Sequence, residues 1–243
     1  MREIVETGTD VATVAIGDPT LLESLRACNG RGYDDELSHA VAGGALWTAD
    51  IGSDGAYLFH VFVDEEPSPP VATWLRDPVI VECLRVPSGR LLVAEQECFI
   101  GALSPRDYPH MGREVGVPPG DYQLTAYRVE APDDYLDSRL SEQATSDQRR
   151  AWSMGNSLPA WCFVATIAAL VAGYFLYLET VSTSLALLPP AIAALAWWWQ
   201  ARYRRGAAYQ SAQSLFRTLE REIPSIAVVM RRHAAGGPTS GCS

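Results

Sequence analysis

No lysine occurs among the 243 residues, so all 19 basic side chains are arginines and carry a permanent charge. The five cysteines, Cys28, Cys83, Cys98, Cys162 and Cys242, are odd in number and form no CxxC pair. That spacing argues against a zinc site or a disulfide framework and predicts reduced, mostly buried thiols. Histidine occurs only at His39, His60, His110 and His233, never at catalytic or metal-ligand spacing. Gly43-Gly44 lacks the Lys-Ser/Thr continuation of a phosphate loop. The opening MREIVETGTD has no apolar stretch, which predicts no secretory signal there. The expectation is therefore a protein that is not an enzyme, with no catalytic residue, no metal and no cofactor.

Charge is distributed unevenly. Residues 1–148 carry ten arginines against 26 acidic side chains, and residues 149–243 carry nine against three. The net charge is −16 in the first part and +6 in the second, which indicates two regions in different surroundings. From Trp152 to Leu178 no charged residue occurs at all. Within that run, Leu158 to Leu178 would span roughly 31 Å as a helix, the hydrocarbon thickness of a bilayer. Asn156 or Ser157 is placed to cap it, with Pro159 in the first turn.

A second uncharged run, Thr180 to Ala201, is interrupted by Pro189 and Pro190. Two conformations suit it: a kinked crossing helix, or an extended piece feeding a helix that starts at Pro189. The kinked crossing is favoured. Arg149 and Arg150 precede the first run, and Arg202, Arg204 and Arg205 follow the second. The connection ETVSTS carries no base, so a bacterial inner-membrane hairpin with both termini in the cytoplasm is expected. Trp161 and Trp197–Trp199 would lie at the cytoplasmic interface, and Tyr174 and Tyr177 at the far one. Ala165, Ala169 and Gly173 recur every four residues, a spacing that lets helices approach closely.

The first 130 residues read as mainly β. VATVAIGDP is a strand closed by a Gly-Asp-Pro turn, and Thr20 could cap a helix over LLESLRACNG. ALWTADIGSDGAYLFHVFVDEE predicts a hairpin about Ser53-Asp54-Gly55, and VIVECLRVPSGRLLVAEQECFIGAL a second about Pro87-Ser88-Gly89. VPPGDYQLTAYRVE adds a last strand. His60, in the alternating AYLFHVFV, is better read as a half-buried strand residue than as a ligand. Asp34, Asp35, Glu36 and His39 are better read as a solvated helix than as an ion site. Cys83 and Cys98 have no marked base nearby, which leaves a thiol nucleophile unsupported.

The segments TGTDVATVAIGDP, GSDGAYLFHVFVDE and SGRLLVAEQECFIGAL resemble parts of small bacterial and phage β-domains with an IGDP strand end and a GDGxY hairpin. That resemblance carries no catalytic residues over to this chain.

The predicted organisation is α+β. A mainly-β sandwich or partly open barrel (1–130) is followed by a linker or connecting helix (131–156) and a transmembrane helical hairpin (157–201, with crossings near 158–178 and 181–201). A cytoplasmic amphipathic helix (202–232) and a flexible tail (233–243) complete it. The stripe Ala208, Ala212, Leu215, Leu219, Ile223, Ile226 and Met230 defines the last helix, with Pro224 expected to bend or end it. A cytoplasmic domain on a two-helix module resembles membrane effectors of bacterial antiviral defence. What that architecture implies is a homo-oligomer in the lipid bilayer that opens a pore on binding a ligand or partner, with Pro189 and Pro190 supplying a bend. A nucleotide or oligonucleotide ligand would need arginines gathered in one cleft, with Arg76, Arg85, Arg90 and Arg128 as candidates. The competing expectation is a membrane-anchored module that docks a protein partner, as an immunity or assembly factor would, without a pore.

Overall fold

The computed structural model describes residues 1–10, 12–22, 25, 32–99, 110–177 and 188–233, without the side chains of 172, 176, 177, 188 and 189. The helix expected over LLESLRACNG, the start of the second apolar run and all of the tail after His233 lie outside the described residues. The fold is α+β with two sheets. It divides into two compact units, residues 1–131 with the chain from 223 onward, and residues 132–222.

Among its described residues the first unit holds nine strands: β1 (Arg2–Thr9), β2 (Thr13–Gly17), β3 (Leu46–Asp50), β4 (Gly55–Val63), β5 (Leu75–Val86), β6 (Arg90–Glu95), β7 (Gly112–Gly116), β8 (Gly120–Val129) and β9 (Ile226–Arg232). They form a five-stranded sheet in the order β1-β4-β9-β8-β5 and a four-stranded sheet in the order β3-β2-β6-β7. Alternate residues of both sheets share one core, including Phe59, Val61, Leu124 and Val228 from the larger sheet and Val14, Ile16, Leu91 and Val93 from the smaller. Helix α1 (Tyr33–Ala42) and a 3-10 turn (Gln96–Phe99) contribute to a second cluster around Leu46, Leu92 and Phe99. A short helix, α2 (Pro69–Trp74), leads into β5.

Neither expected β-hairpin is one. β3 pairs with β2 and β4 with β1 and β9, so the turn at residues 51–54 carries the chain from one sheet to the other. β5 pairs with β8 and β6 with β2 and β7, so Pro87-Ser88-Gly89 crosses in the same way. An alternating pattern states that one face is buried, and both sheets satisfy it equally. Local chemistry steers the chain out of plane. The Asp50 carboxylate accepts the Gly52 N–H (2.8 Å) while Gly52 turns through φ 79°. Buried Asp18, at the end of β2, accepts the Thr20 N–H (2.8 Å) and hydroxyl (2.7 Å) and the Ser88 N–H (2.8 Å). Burial disfavours the charge on Asp18, but the bonds from Ser88 and Thr20 outweigh it and hold the carboxyl below its ordinary range.

The predicted helix over 202–232 also needs correction. α6 covers only Ala207–Glu220, and Ile226–Arg232 form β9, parallel to β4 and antiparallel to β8. Pro224 cannot continue the helix, and the run IAVVM that follows is β-rich. Residues 226–230 are buried throughout, with Ile226, Val228 and Met230 on the shared core and Ala227 and Val229 on the opposite face. A strand buried on both sides shows no alternation, which is why its spacing mimics a helical stripe.

The second unit is helical: α3 (Tyr135–Gln143), α4 (Ser146–Tyr177), α5 (Leu188–Arg204) and α6. α4 begins well before the expected start. Thr145 and Gln148 form a capping box, Gln148 N–H to Thr145 Oγ1 (3.3 Å) and Thr145 N–H to Gln148 Oε1 (2.9 Å). Pro159 therefore falls inside the helix rather than in its first turn. α5 runs antiparallel to α4. The Tyr203 hydroxyl donates to the Ala151 carbonyl (3.4 Å), and Trp197 Nε1 donates to Thr166 Oγ1 (3.2 Å).

Among the described residues only α4 is long and apolar enough to cross a membrane, over Ser146–Phe175, with a mean hydropathy of 1.8 in its 18-residue apolar window. The second expected crossing is not found among the described residues. The described part of α5, 17 residues, spans about 25 Å. Pro189 and Pro190 lie at the start of the described part of α5, and the residues before Leu188, on which a kink would depend, lie outside the described residues. Only 6% of the apolar window of α4 is buried, so α4 is not the core helix of the described fold. Leu170 is 70% and Trp161 69% exposed, with Phe163, Val171, Leu195 and Trp198 also turned outward.

Cysteine usage departs from expectation at one position. Cys98 and Cys162 are free and buried, whereas Cys83 is disulfide-bonded to a partner outside the described residues. Linear spacing carries no information on which thiols the fold brings together.

Candidate functional site

The two sheets meet differently along their two sides. On one side β1 is tied to the segment entering β7. The Gly8 N–H donates to the His110 carbonyl, and the Thr7 hydroxyl donates to the Met111 carbonyl (2.6 Å). Glu95, fully buried at the end of β6, accepts from the Asp10 N–H (2.7 Å) and the Thr9 hydroxyl (3.1 Å). The cleft beside this seam, about 780 Å³, is lined by Glu6, Asp10, Asp54 and Glu95 with His110. Four carboxylates and, among the described residues, no guanidinium line it, a lining that repels anions.

On the other side the sandwich is open. β5 carries register breaks between Arg76 and Val79 and between Val81 and Leu84, and Asp77 adopts φ 49°. These bulges bend the edge strand and disrupt its regular pairing with β8. Val79 and Ile80 are left 52% and 57% exposed. The result is a groove of about 990 Å³ walled by Trp47, Ala49 and Ile51 of the β3 end, Val79 of β5, Ala126 to Val129 of β8, and Ile226. Asp50, Ser53, Asp77 and Arg128 supply its polar groups.

The same groove is lined by Ala131, where the chain departs for the helical unit, and by Ile223, Pro224 and Ser225, where it returns. The two junctions are adjacent, because the Val129 N–H donates to the Ser225 carbonyl (3.2 Å). Ser225 is also bound to β4, its N–H donating to the Leu58 carbonyl (2.8 Å) and its hydroxyl accepting the Leu58 N–H (3.2 Å). An occupant of this groove would touch the roots of both connections to the helices.

The four candidate anion-binding arginines are only partly brought together. Arg76 and Arg128 are register partners, and both reach Glu130 (3.8 and 3.3 Å). Arg90 is engaged by Glu114 (2.7 Å), and Arg85 lies in register with Asp121. Only Arg128 lines the groove. Of the helix-packing candidates, Ala165 and Ala169 are half-buried on the stripe of α4 that holds Cys162 and Thr166. Thr166 bonds to α5, so that stripe is used within the chain. Gly173 is exposed, with nothing within 4 Å of an added Cβ. His60 is fully buried among strand neighbours. Asp34, Asp35 and Glu36 occupy the first turn of α1, and His39 lies in its last. Sequence reasoning missed the groove because its walls come from β3, β5, β8 and β9, and β9 had been read as helix. The available signal was Pro224 followed by five apolar residues.

No protein-family model matches the chain, and no curated protein matches it. Among solved structures, a chain named "Crocagin biosynthetic gene J" aligns with a TM-score of 0.38 and 14% identity, over 57% of this chain and 82% of that one. A likeness at that score carries no argument about function.

Proposed function

We propose that this chain is an integral membrane effector of the inner membrane. Its β-domain senses a ligand or partner in the groove beside β8 and β9, and the helical unit, as a homo-oligomer, forms a pore. The observation that carries this reading is the shared wall: the groove is built from the residues at which the helices leave and rejoin the sheet. Binding that shifts Ala131 relative to Ile223 acts directly on both helical connections, with no long relay required.

Topology supports two passes. β8 and β9 are hydrogen-bonded neighbours, so everything between them begins and ends on one side of the bilayer. If α4 crosses, the chain must cross back, and the uncharged run that ends in α5 is the segment available. The arginines at 149, 150, 202, 204 and 205 favour the cytoplasm for that side. Covering the outward apolar side chains of α4 and α5 by lipid is worth on the order of 10 kcal/mol. A role in antiviral defence is the biological setting that the architecture suggests.

The test is reconstitution of the full chain in liposomes, with its oligomeric state measured in detergent. A multimer that passes ions, and whose flux is altered by Val79→Arg at the groove rim, supports the proposal. One other reading, an anchored docking module, is favoured by the single helix long and apolar enough to cross among the described residues. A monomer with no flux that captures a single protein partner would establish that reading instead.

A further inference from the structure

The antiparallel pairing of α4 and α5 gathers five guanidiniums at one end of the helical unit. Tyr203 meets Ala151 there, which brings Arg149 and Arg150 level with Arg202, Arg204 and Arg205. All five are exposed, and none makes an ion pair among the described residues. Arg149 donates only to the Ser141 carbonyl (3.2 Å), and Arg202 lies over the Trp198 ring (5.8 Å). Elsewhere in the protein Arg76, Arg90, Arg128, Arg139 and Arg231 have carboxylate partners, while Arg113, Arg217 and Arg232 make no ion pair among the described residues but are dispersed rather than gathered at one end. Five unneutralised cations at one end repel one another, and anions supplied from outside relieve that repulsion.

A cavity of about 270 Å³ lies at this level, lined by Trp199, Arg202, Tyr203 and Tyr209. Trp161 falls between the two inter-helix contacts, level with the exposed indoles of Trp197, Trp198 and Trp199. Aromatic rings with arginines beyond them, one to two turns further along α5 and about three turns further along α4, match the profile of a bilayer interface. We infer that this end of the helical unit binds the headgroup phosphates of anionic phospholipid, with Arg202 in the aromatic cavity and Arg149, Arg150, Arg204 and Arg205 around it. Arginine suits this role because its planar fork grips phosphate with two bonds.

The inference rests on the membrane reading, and its test separates the two. Resistance of the full-length protein to carbonate extraction reports insertion alone. Lipid retention is then measured by native mass spectrometry in mild detergent with added phosphatidylglycerol or phosphatidylcholine. The expected result is at least tenfold preference for phosphatidylglycerol, undiminished by 10-fold excess inorganic phosphate. Each interfacial base contributes about fivefold, so R202Q/R204Q/R205Q should weaken retention about a hundredfold, while the triple lysine variant, which keeps the charge but not the bidentate fork, should fall between it and the wild type. Equal retention of the two lipids by an inserted protein overturns the headgroup site. Displacement by inorganic phosphate reassigns the site to a free anion and overturns the lipid.

Discussion

The position of β9 is open to a decisive test, because it is the last strand in sequence yet lies third of five in its sheet. Ending the chain at Glu222 removes Ile226, Ala227, Val228, Val229 and Met230, all buried. At roughly 1.5–3 kcal/mol for each of the four large side chains, the loss is about 6–12 kcal/mol. The whole stability of a domain is of the same size, about 5–15 kcal/mol, so the truncated β-domain should not fold. The converse deletion should succeed. Replacing residues 132–222 with a four-residue turn joins two ends already linked by the bond from Val129 to Ser225. Shortening that connection lowers the closure cost by about 3 kcal/mol. The spliced protein should be soluble without detergent, show β-type circular dichroism and melt cooperatively. A cooperative melt from the chain ending at Glu222, or an unfolded spliced protein, would refute the central placement of β9. The two-pass argument would then fail with it.

Three further outcomes follow from individual contacts. Asp18→Ala leaves the Thr20 and Ser88 N–H groups without their acceptor and should cost about 2–4 kcal/mol in denaturant unfolding. Because the folded-state pKa of Asp18 is lowered, its contribution is complete above the ordinary carboxylate range and is lost as pH falls through the folded value. The wild type should therefore show a steeper acid destabilisation than the alanine variant. Gly155→Ala would place a Cβ 2.0 Å from the Tyr209 ring, and the resulting overpacking should separate α6 from α4 at a cost of about 1–3 kcal/mol. Protease sensitivity of α6 in the full chain would report it, and unchanged protection would contradict the stacking of Tyr209 on α4. Denatured protein alkylated without reductant should label Cys98 and Cys162 but leave Cys83 unlabelled until reductant is added. Labelling of Cys83 before reductant is added would contradict its disulfide.

Composition by itself determined that this chain has two regimes. An uninterrupted apolar run and an arginine-flanked end are one-dimensional properties, because lipid selects on length and charge before any tertiary contact exists. Turn chemistry at Gly17-Asp18-Pro19, Ser53-Asp54-Gly55 and Pro87-Ser88-Gly89 was likewise legible. What those turns connect was not. Whether strands either side of a turn pair with each other or lie in opposite sheets depends on distant partners, such as Ser88 for Asp18. Tertiary structure alone decided that Ile226–Arg232 is a strand. A segment buried on both faces loses the alternation that identifies strands, and its conformation is set by the free edges of β4 and β8 between which it inserts. The groove and the arginine cluster have the same origin, since each is assembled from residues that only the folded chain makes neighbours.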